Sequence, residues 1–405
     1  MEEDIVSEFD LINPTEAHSM LREMIRDFVD KSLEPQALIH DKEEKFNLEL
    51  FKELGDLGLL GLTVSEKYGG SELDTVSAVI IHEELSSSDP AFTLSYLAHS
   101  MLTANNLSVN GSEEQKSRYL PGLCSGELIG CMAMSEPDYG TDVMGMKTTA
   151  ELNSDGNWVI NGNKMWITNG SIDEDGTPAD IVWLYAKTGE SENGRAEIST
   201  FIVEKGMQGY SVGQKIYDKL GMRASNTAEL VFENCIVPPE NLVGSVGGSV
   251  LHMMRNLELE RIALAAMSLG IARRSLHEMN NYATERISFG KPIRAYGQIQ
   301  RHIAESYAEY KAMQAYVYNT ARMINLESGG YRLDTDGVKL FATTAAKNIA
   351  DRAIQVMGGY GYVGEYVVER LWRDSKLLEI GGGTLESHQK NMTKELFKNP
   401  DFIYK

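Results

Sequence analysis

Proline is scarce and unevenly spread. The 405 residues hold ten, with none between Pro239 and Pro292 and none between Pro292 and Pro400. Proline lacks a backbone N–H and clashes with the preceding helical turn, so stretches without it are free to form long helices. Cysteine is scarcer. Cys124, Cys131 and Cys235 are too few for a disulfide framework and show no C-x-x-C spacing for zinc. Small buried thiols in a reducing compartment are the expectation. Basic residues are outnumbered, 38 Lys and Arg against 59 Asp and Glu, which gives 38 − 59 = −21. That excess argues against a nucleic-acid binder, which needs clustered Lys and Arg, and against docking on an anionic membrane. No run of about 18 apolar residues exists, so membrane insertion is not expected. The start, Met1-Glu2-Glu3-Asp4-Ile5, lacks a basic region, an apolar core and Arg-rich transit character. A cytoplasmic protein of bacterial type is therefore expected, with a processed mitochondrial-type protein as the second reading. The G-x-G-x-x-G signature of a dinucleotide-binding βαβ unit is absent, as is any solenoid repeat.

What is present falls into three segments. The first reads as helical. Asn13-Pro14-Thr15-Glu16 is a start signal with Pro at the first turn, and Leu21, Met24, Ile25 and Phe28 follow at helical spacing. Ser112-Glu113-Glu114-Gln115 opens a later helix with a Ser cap. Near Gly126 the character changes. Two β-rich runs flank Asn161-Gly162 within Trp158 to Thr168, a hairpin signal, and residues 181–185, 199–203 and 228–232 are further strand candidates. Pro238-Pro239 closes this unit. From about Gly247 the pattern is helical again, and Ala263, Ala265, Ala266 and Gly270 would let a second helix approach closely. The order α, β, α predicts an α+β protein. Its parts would be an N-terminal α-helical domain over 1–128, a middle β-barrel or sandwich domain over 129–242, and a C-terminal four-helix bundle over 243–405.

Several motifs offer chemistry, each with a plainer reading. Met132-Ala133-Met134-Ser135-Glu136-Pro137 and Thr141 provide small residues and hydroxyls that suit a flat polar ligand, or simply turns. Trp166-Ile167-Thr168 adds an aromatic and a hydroxyl, or a core tryptophan on a strand. Lys219-Leu220-Gly221-Met222-Arg223 reads as a glycine turn beside a guanidinium, or as a surface hairpin. Arg286-x-x-Phe289-Gly290 and Gln355-Val356-Met357-Gly358-Gly359-x-Gly361 read as helix ends, where glycine serves as a C-cap.

Taken in this order, the motifs resemble one family, the flavin-dependent acyl-CoA dehydrogenases, over residues 11–397. The resemblance implies FAD, an acyl-CoA substrate, electron-transferring flavoprotein as the partner, and a homotetramer in which a neighbouring subunit completes each flavin site. Carried over residue by residue, Met132, Met134, Ser135 and Thr141 resemble the segment flanking the flavin ring and the thioester. Trp166, Ile167 and Thr168 are similar to the residues packing on the ring. Arg286 resembles the arginine that meets the pyrophosphate. Gln355, Met357, Gly358 and Gly359 are similar to the loop near the adenosine, and Thr384 and Glu386 to the last flavin contacts.

The base needs a carboxylate in a dry pocket, because burial raises its pKa toward the working range. Much of the family carries that glutamate just before the Gly-Thr of the last helical region, where this chain has Gly382 in Glu379-Ile380-Gly381-Gly382-Gly383-Thr384. The isovaleryl-CoA and long-chain groups place it earlier, in a Leu-Glu-Arg context, which Leu259-Glu260-Arg261 matches. Glycine at one position and glutamate at the other form a consistent pair, so the resemblance makes Glu260 the base. Periodicity alone reads Glu260 as an exposed helix carboxylate, and Glu379 and Glu386 compete. Glu258 lies on a different helix face from Glu260. Glu258, Arg261, Gly382 and Gly383 join the substrate-binding expectation. Leu102 and Leu264 are acyl-pocket candidates that read equally as core leucines.

Resemblance is greatest to the isovaleryl-CoA dehydrogenase group, which implies α,β-dehydrogenation of a short branched acyl-CoA. There are departures. Gly297 stands where the family usually has Gln, Leu385-Glu386-Ser387-His388-Gln389 replaces Ser-Glu and basic residues, and residues 172–178 look like an acidic, solvated insertion. These keep other readings open. One is a dehydrogenase of a bulkier cyclic or aryl-substituted (benzylsuccinyl-like) acyl-CoA, another an oxygen-using flavin oxidase of the same fold, and a third a non-catalytic acyl-CoA binder.

Overall fold

A computed structural model describes residues 10–404, so the acidic start Met1 to Ile5 lies outside the described residues. The first domain is helical: α1 (Glu16–Phe28), α2 (Glu34–Glu43), α3 (Leu48–Asp56), α4 (Thr75–Ser86), α5 (Pro90–Tyr96), α6 (Asn105–Asn110) and α7 (Glu113–Ser125). Thr15 caps α1 by accepting from the His18 N–H, so Pro14 sits ahead of the cap and not in the first turn. At α7, Ser112 and Gln115 cap each other's backbone reciprocally, as the sequence predicts. A π-helical stretch, Leu97–Ala104, carries Leu102 into the core.

The middle domain is one sheet built from β1 (Gly130–Ala133), β2 (Thr149–Leu152), β3 (Trp158–Thr168), β4 (Ile181–Glu190), β5 (Ala196–Glu204), β6 (Tyr210–Lys215), β7 (Thr227–Val237) and β8 (Leu242–Val243). The strand order is β6-β7-β3-β2-β4-β5-β8, with β1 parallel on β4. Here the hairpin expectation fails, because Trp158 to Thr168 is a single strand. The pairing of β3 with β7 shifts register at Gly162, whose φ is +145°, and a Cβ there would lie 2.5 Å from Thr148 Oγ1. Asn-Gly therefore makes a bulge where another segment crosses closely, and not a chain reversal. The acidic insertion is also less solvated than expected: Thr177 N–H donates to Asp173 Oδ1 at 2.9 Å, and Lys215 Nζ reaches Glu174 Oε1 at 2.7 Å.

The two proline-free stretches and the Pro292 hairpin between them form α8 (Val250–Glu285), the short hairpin β9 (Ile287–Ser288) and β10 (Lys291–Pro292), α9 (Gly297–Met323), α10 (Arg332–Met357), α11 (Gly359–Tyr362), α12 (Val368–Leu378) and α13 (Leu385–Lys398). The helix α8 runs 36 residues and packs on α10, α9 and α4. A Cβ on Gly270 would lie 2.2 Å from Glu83 O, so only glycine permits the α4–α8 contact. One apolar core runs from Phe51 and Ile80 through Ala266 and Met267 to Val338 and Ile349, joining the two helical domains. The sheet docks on this body through the 219–226 loop. Met222 is buried there with φ +52°, and its N–H donates to Asp374 Oδ1 at 2.5 Å.

Candidate active site

The strand β3 positions the first part of the site. A second register shift, between Lys164 and Ile167, places Trp166 on positive φ (+66°) with its indole 62% exposed. A bulge re-aims a side chain, and here it holds a large flat ring at the sheet surface while Ile167 stays buried. The segment before the first turn is pinned to the same strand: Met165 N–H donates to Ser135 O at 2.9 Å. Lys164, fully buried, donates to Met134 O and Glu136 Oε1 at 3.0 Å each. Met134 is buried, and Met132, Ser135 and Thr168 are half-buried. These residues and Trp166 thus form one surface. Thr141 is exposed in the loop beyond the Glu136–Tyr139 bridge.

The second part is a glycine turn between α12 and α13. Gly382 has φ +64° and Gly383 φ +101°. A Cβ on Gly382 would sit 2.5 Å from Leu264 Cδ1 and 3.3 Å from both Cδ and Cγ of Glu260. Glu260, half-buried on α8, therefore occupies the space toward which a side chain at 382 would project. Burial pushes its carboxyl above the ordinary range, against the opposing pull of Lys339 and Arg261. Among the described residues no hydrogen bond or ion pair ends on this carboxylate.

Its neighbours on α8 are otherwise engaged. Glu258 Oε2 accepts the backbone N–H groups of Gly330 and Tyr331 at 2.9 Å each, tying down the entrance to α10. Arg261 Nε lies 3.2 Å from Asp336 Oδ1, both buried. The competing carboxylates are also accounted for. Glu379 is paired with Lys347 at 3.1 Å and Lys376 at 2.6 Å, and Glu386 is exposed in the first turn of α13. Thr384 caps that helix by accepting from Ser387 N–H. Leu264 is buried against the glycine turn, and Leu102 is buried in the shared helical core.

The third part is remote from Glu260 in sequence. Arg286, Met357, Gly358 and Gly359 line one cavity of about 480 Å³, and the Arg286 guanidinium lies 5.9 Å from the Tyr360 ring centroid. Gln355 is exposed beside it. Gly358, at φ +60°, ends α10 by donating its N–H to Ile354 O at 2.9 Å, and nothing lies within 4 Å of a Cβ there, which leaves open space at the helix end. Gly297 begins α9 with similar open space.

Sequence reasoning missed three groups: Lys164, Lys339 and the Asp336–His388 pair. Lys339 is fully buried, and its Nζ donates to Gly383 O at 2.7 Å. His388 Nδ1 meets Asp336 Oδ1 at 2.5 Å, and its Nε2 meets the same Gly383 O at 2.9 Å. The available signal was a lysine inside the apolar helical run Val338-Lys339-Leu340-Phe341-Ala342.

An exposed indole on a bulge, a carboxylate beside a glycine turn and a cavity lined by Arg286 at a helix end leave room for a flat ring, an acid–base group and anionic groups. The chain matches "Acyl-CoA dehydrogenase, N-terminal domain" over residues 15–127, the middle domain over 131–235 and the C-terminal domain over 250–397. It belongs to the acyl-CoA dehydrogenase family. It is 44% identical to the mitochondrial isovaleryl-CoA dehydrogenase of Oryza sativa subsp. japonica over 95% of this chain and 92% of that one. Butyryl-CoA dehydrogenase from Megasphaera elsdenii superposes with a TM-score of 0.89 at 34% identity, covering 95% of this chain and 98% of that one. An acyl-CoA dehydrogenase from Bacillus anthracis complexed with FAD gives a TM-score of 0.87 at 31% identity, over 95% of this chain and 68% of that one. The family is FAD-dependent. The residues here fit that group: Trp166 and the 132–135 backbone suit the ring, and Arg286 with the open turn at Gly358 suits the phosphates.

Proposed function

We propose that this protein removes hydrogen across Cα and Cβ of a short branched acyl-CoA thioester, isovaleryl-like, with Glu260 as the base. The observation that carries the reading is the complementarity at the glycine turn. Gly382 has no side chain, and Glu260 fills the space that a side chain there would enter. A single carboxylate, unpaired and raised in pKa by burial, suits removal of a weakly acidic Cα proton. Glu258, Glu379 and Glu386 are capped, ion-paired or exposed. Bound FAD supplies the hydride acceptor for Cβ. A backbone N–H near Gly382 polarises the thioester oxygen and so favours loss of the Cα proton. Leu264 and Leu102 limit the acyl chain, and Met132 to Ser135 hold the thioester against the sheet. The likeness to the rice enzyme supports the branched substrate. Electrons leave to electron-transferring flavoprotein, and the protein assembles as a homotetramer.

The test is anaerobic titration of the holoenzyme with a panel of acyl-CoA thioesters, followed by flavin bleaching and by turnover with an artificial acceptor. Fastest bleaching is expected with isovaleryl-CoA. Preference for an aryl or cyclic thioester overturns the substrate assignment, and rapid reoxidation by air overturns the dehydrogenase in favour of an oxidase. Glu260→Gln should keep FAD and lose bleaching; retained turnover moves the role to another carboxylate.

A further inference from the structure

A buried lysine and a half-buried glutamate flank the same pair of glycines, and neither has an ion-pair partner among the described residues. Glu260 approaches the turn from α8, with its carboxyl carbon 3.3 Å from the Cβ position of Gly382. Lys339 approaches from α10, with Nζ 2.7 Å from the carbonyl oxygen of Gly383. An ammonium has three donors, and this one spends a single donor on a neutral acceptor. An uncompensated buried charge is costly and persists where it serves a purpose.

The surrounding groups show where the compensation lies. On α10, Asp336 is taken by Arg261 at 3.2 Å, by His388 at 2.5 Å and, more distantly, by Arg332 at 3.7 Å. At the end of α12, Glu379 is taken by Lys347 and Lys376. On α13, His388 adds no negative charge. On α8, Glu258 is taken by the backbone of Gly330 and Tyr331. Glu260 is the carboxylate left over. Burial drives the Lys339 ammonium down to about 7, while Glu260 acts to hold it charged.

We propose that Lys339 is a positioning residue for the reaction: it clamps the Gly383 carbonyl to fix the 382–383 turn, and its charge keeps Glu260 ionised. This inference rests on Glu260 as the base. It departs from the sequence reading, in which the positive charges at the site were arginines. Two functions are joined in one side chain, and they separate by substitution. Lys339→Gln keeps a donor for the carbonyl and loses the charge. Lys339→Met loses both. Lys339→Arg keeps charge and donors.

The experiment is the pH profile of kcat and kcat/KM for purified holoenzyme variants with isovaleryl-CoA, FAD content being checked for each. Removing a positive charge beside a carboxylate raises the pKa of that carboxylate, so the acidic limb, where the base protonates, should move to higher pH. The expected displacement is about one pH unit in Lys339→Gln and Lys339→Met, or roughly tenfold lower activity on that limb, with Lys339→Arg near the parent profile. Lys339→Met should in addition raise KM, through the freed turn, where Lys339→Gln does not. An acidic limb unmoved in the FAD-replete Gln variant overturns the proposal, whatever happens to the Met variant. Glu260→Gln in the same assay keeps the two failures apart. If that variant stays active, the base assignment falls; if it is dead while the limb of Lys339→Gln is unmoved, only the role of Lys339 falls.

Discussion

Two buried charge clusters sit on one helix, and their contrast separates scaffold from chemistry. At Arg273, α8 meets α4 and α1. Arg273 pairs with Glu83 at 3.2 Å and Glu84 at 2.5 Å, and Arg22 pairs with the same two carboxylates. Two fully buried acids meet two arginines, and the Tyr318 hydroxyl completes the set. Glu260 lies 273 − 260 = 13 residues away on α8, about 20 Å along the axis. It is ion-paired to no arginine, and Lys339 and Arg261 pull on it without pairing. The Arg273 cluster holds the helical domains together with every carboxylate oxygen of Glu83 and Glu84 paired. The Glu260 cluster leaves one carboxylate unpaired, where it is free to accept a proton.

The largest expected effect breaks the comparison at Glu260. Glu260→Gln should lower kcat by on the order of 10³-fold while FAD content and Tm hold, because loss of an unpaired buried charge leaves no stranded partner. A large drop in Tm would mean that Glu260 is structural, like Glu84. The opposite pattern is expected at the other cluster. Glu84→Gln leaves Arg22 and Arg273 to share the single carboxylate of Glu83 and should cost about 3 kcal/mol in chemical denaturation. Burial alone would raise the Glu84 carboxyl, but Arg273, Arg22 and Arg26 outweigh it and hold it at about 2. Its folded pKa lies below its ordinary value of 4.5, so its contribution is complete above about 4.5 and disappears as pH falls toward 2. The acid limb of a stability–pH curve should flatten in Glu84→Gln.

Gly382→Ala tests the space on which the Glu260 reading depends. The added methyl meets Leu264 at 2.5 Å and Glu260 at 3.3 Å, on a backbone at φ +64°. Displacing the base by a fraction of an ångström should lower kcat about 10-fold or more, with FAD retained. The strained backbone should cost about 1–2 kcal/mol in the same denaturation assay. Unchanged kcat would mean that the base does not use this niche.

What the sequence disclosed follows the range of the forces involved. Local signals were legible: the two proline-free runs became α8 and then α9 and α10, and Ser112 capped its helix with Gln115. Asn161-Gly162 misled because the dipeptide reports only permissive φ, and a bulge against Thr148 uses that freedom as well as a turn does. The acidic insertion misled in the same way, since its anchor, Lys215, is 41 residues from Glu174. Glu260 was visible only through the motif resemblance, since spacing along α8 does not distinguish a niche from solvent. Lys339 and the Asp336–His388 pair were not visible, because Lys339 meets Gly383 across 44 residues of chain and Asp336 meets His388 across 52. Contacts of that separation exist only once α10 and α13 have packed.

The smallest effect sharpens the boundary of the balanced cluster. Arg26 Nε also reaches Glu84 Oε2, at 3.1 Å, but its side chain is 53% exposed, against 26% for Arg273 and 5% for Arg22. Water already solvates that guanidinium, and Glu84 keeps two other arginines when it is removed. Arg26→Ala should therefore cost under about 0.5 kcal/mol, less at high salt, and leave the pH profile of turnover unchanged. A loss comparable to that of Glu84→Gln would place Arg26 inside the cluster. The matched pairs would then no longer close at two acids and two arginines, and the contrast with Glu260 would rest on burial alone.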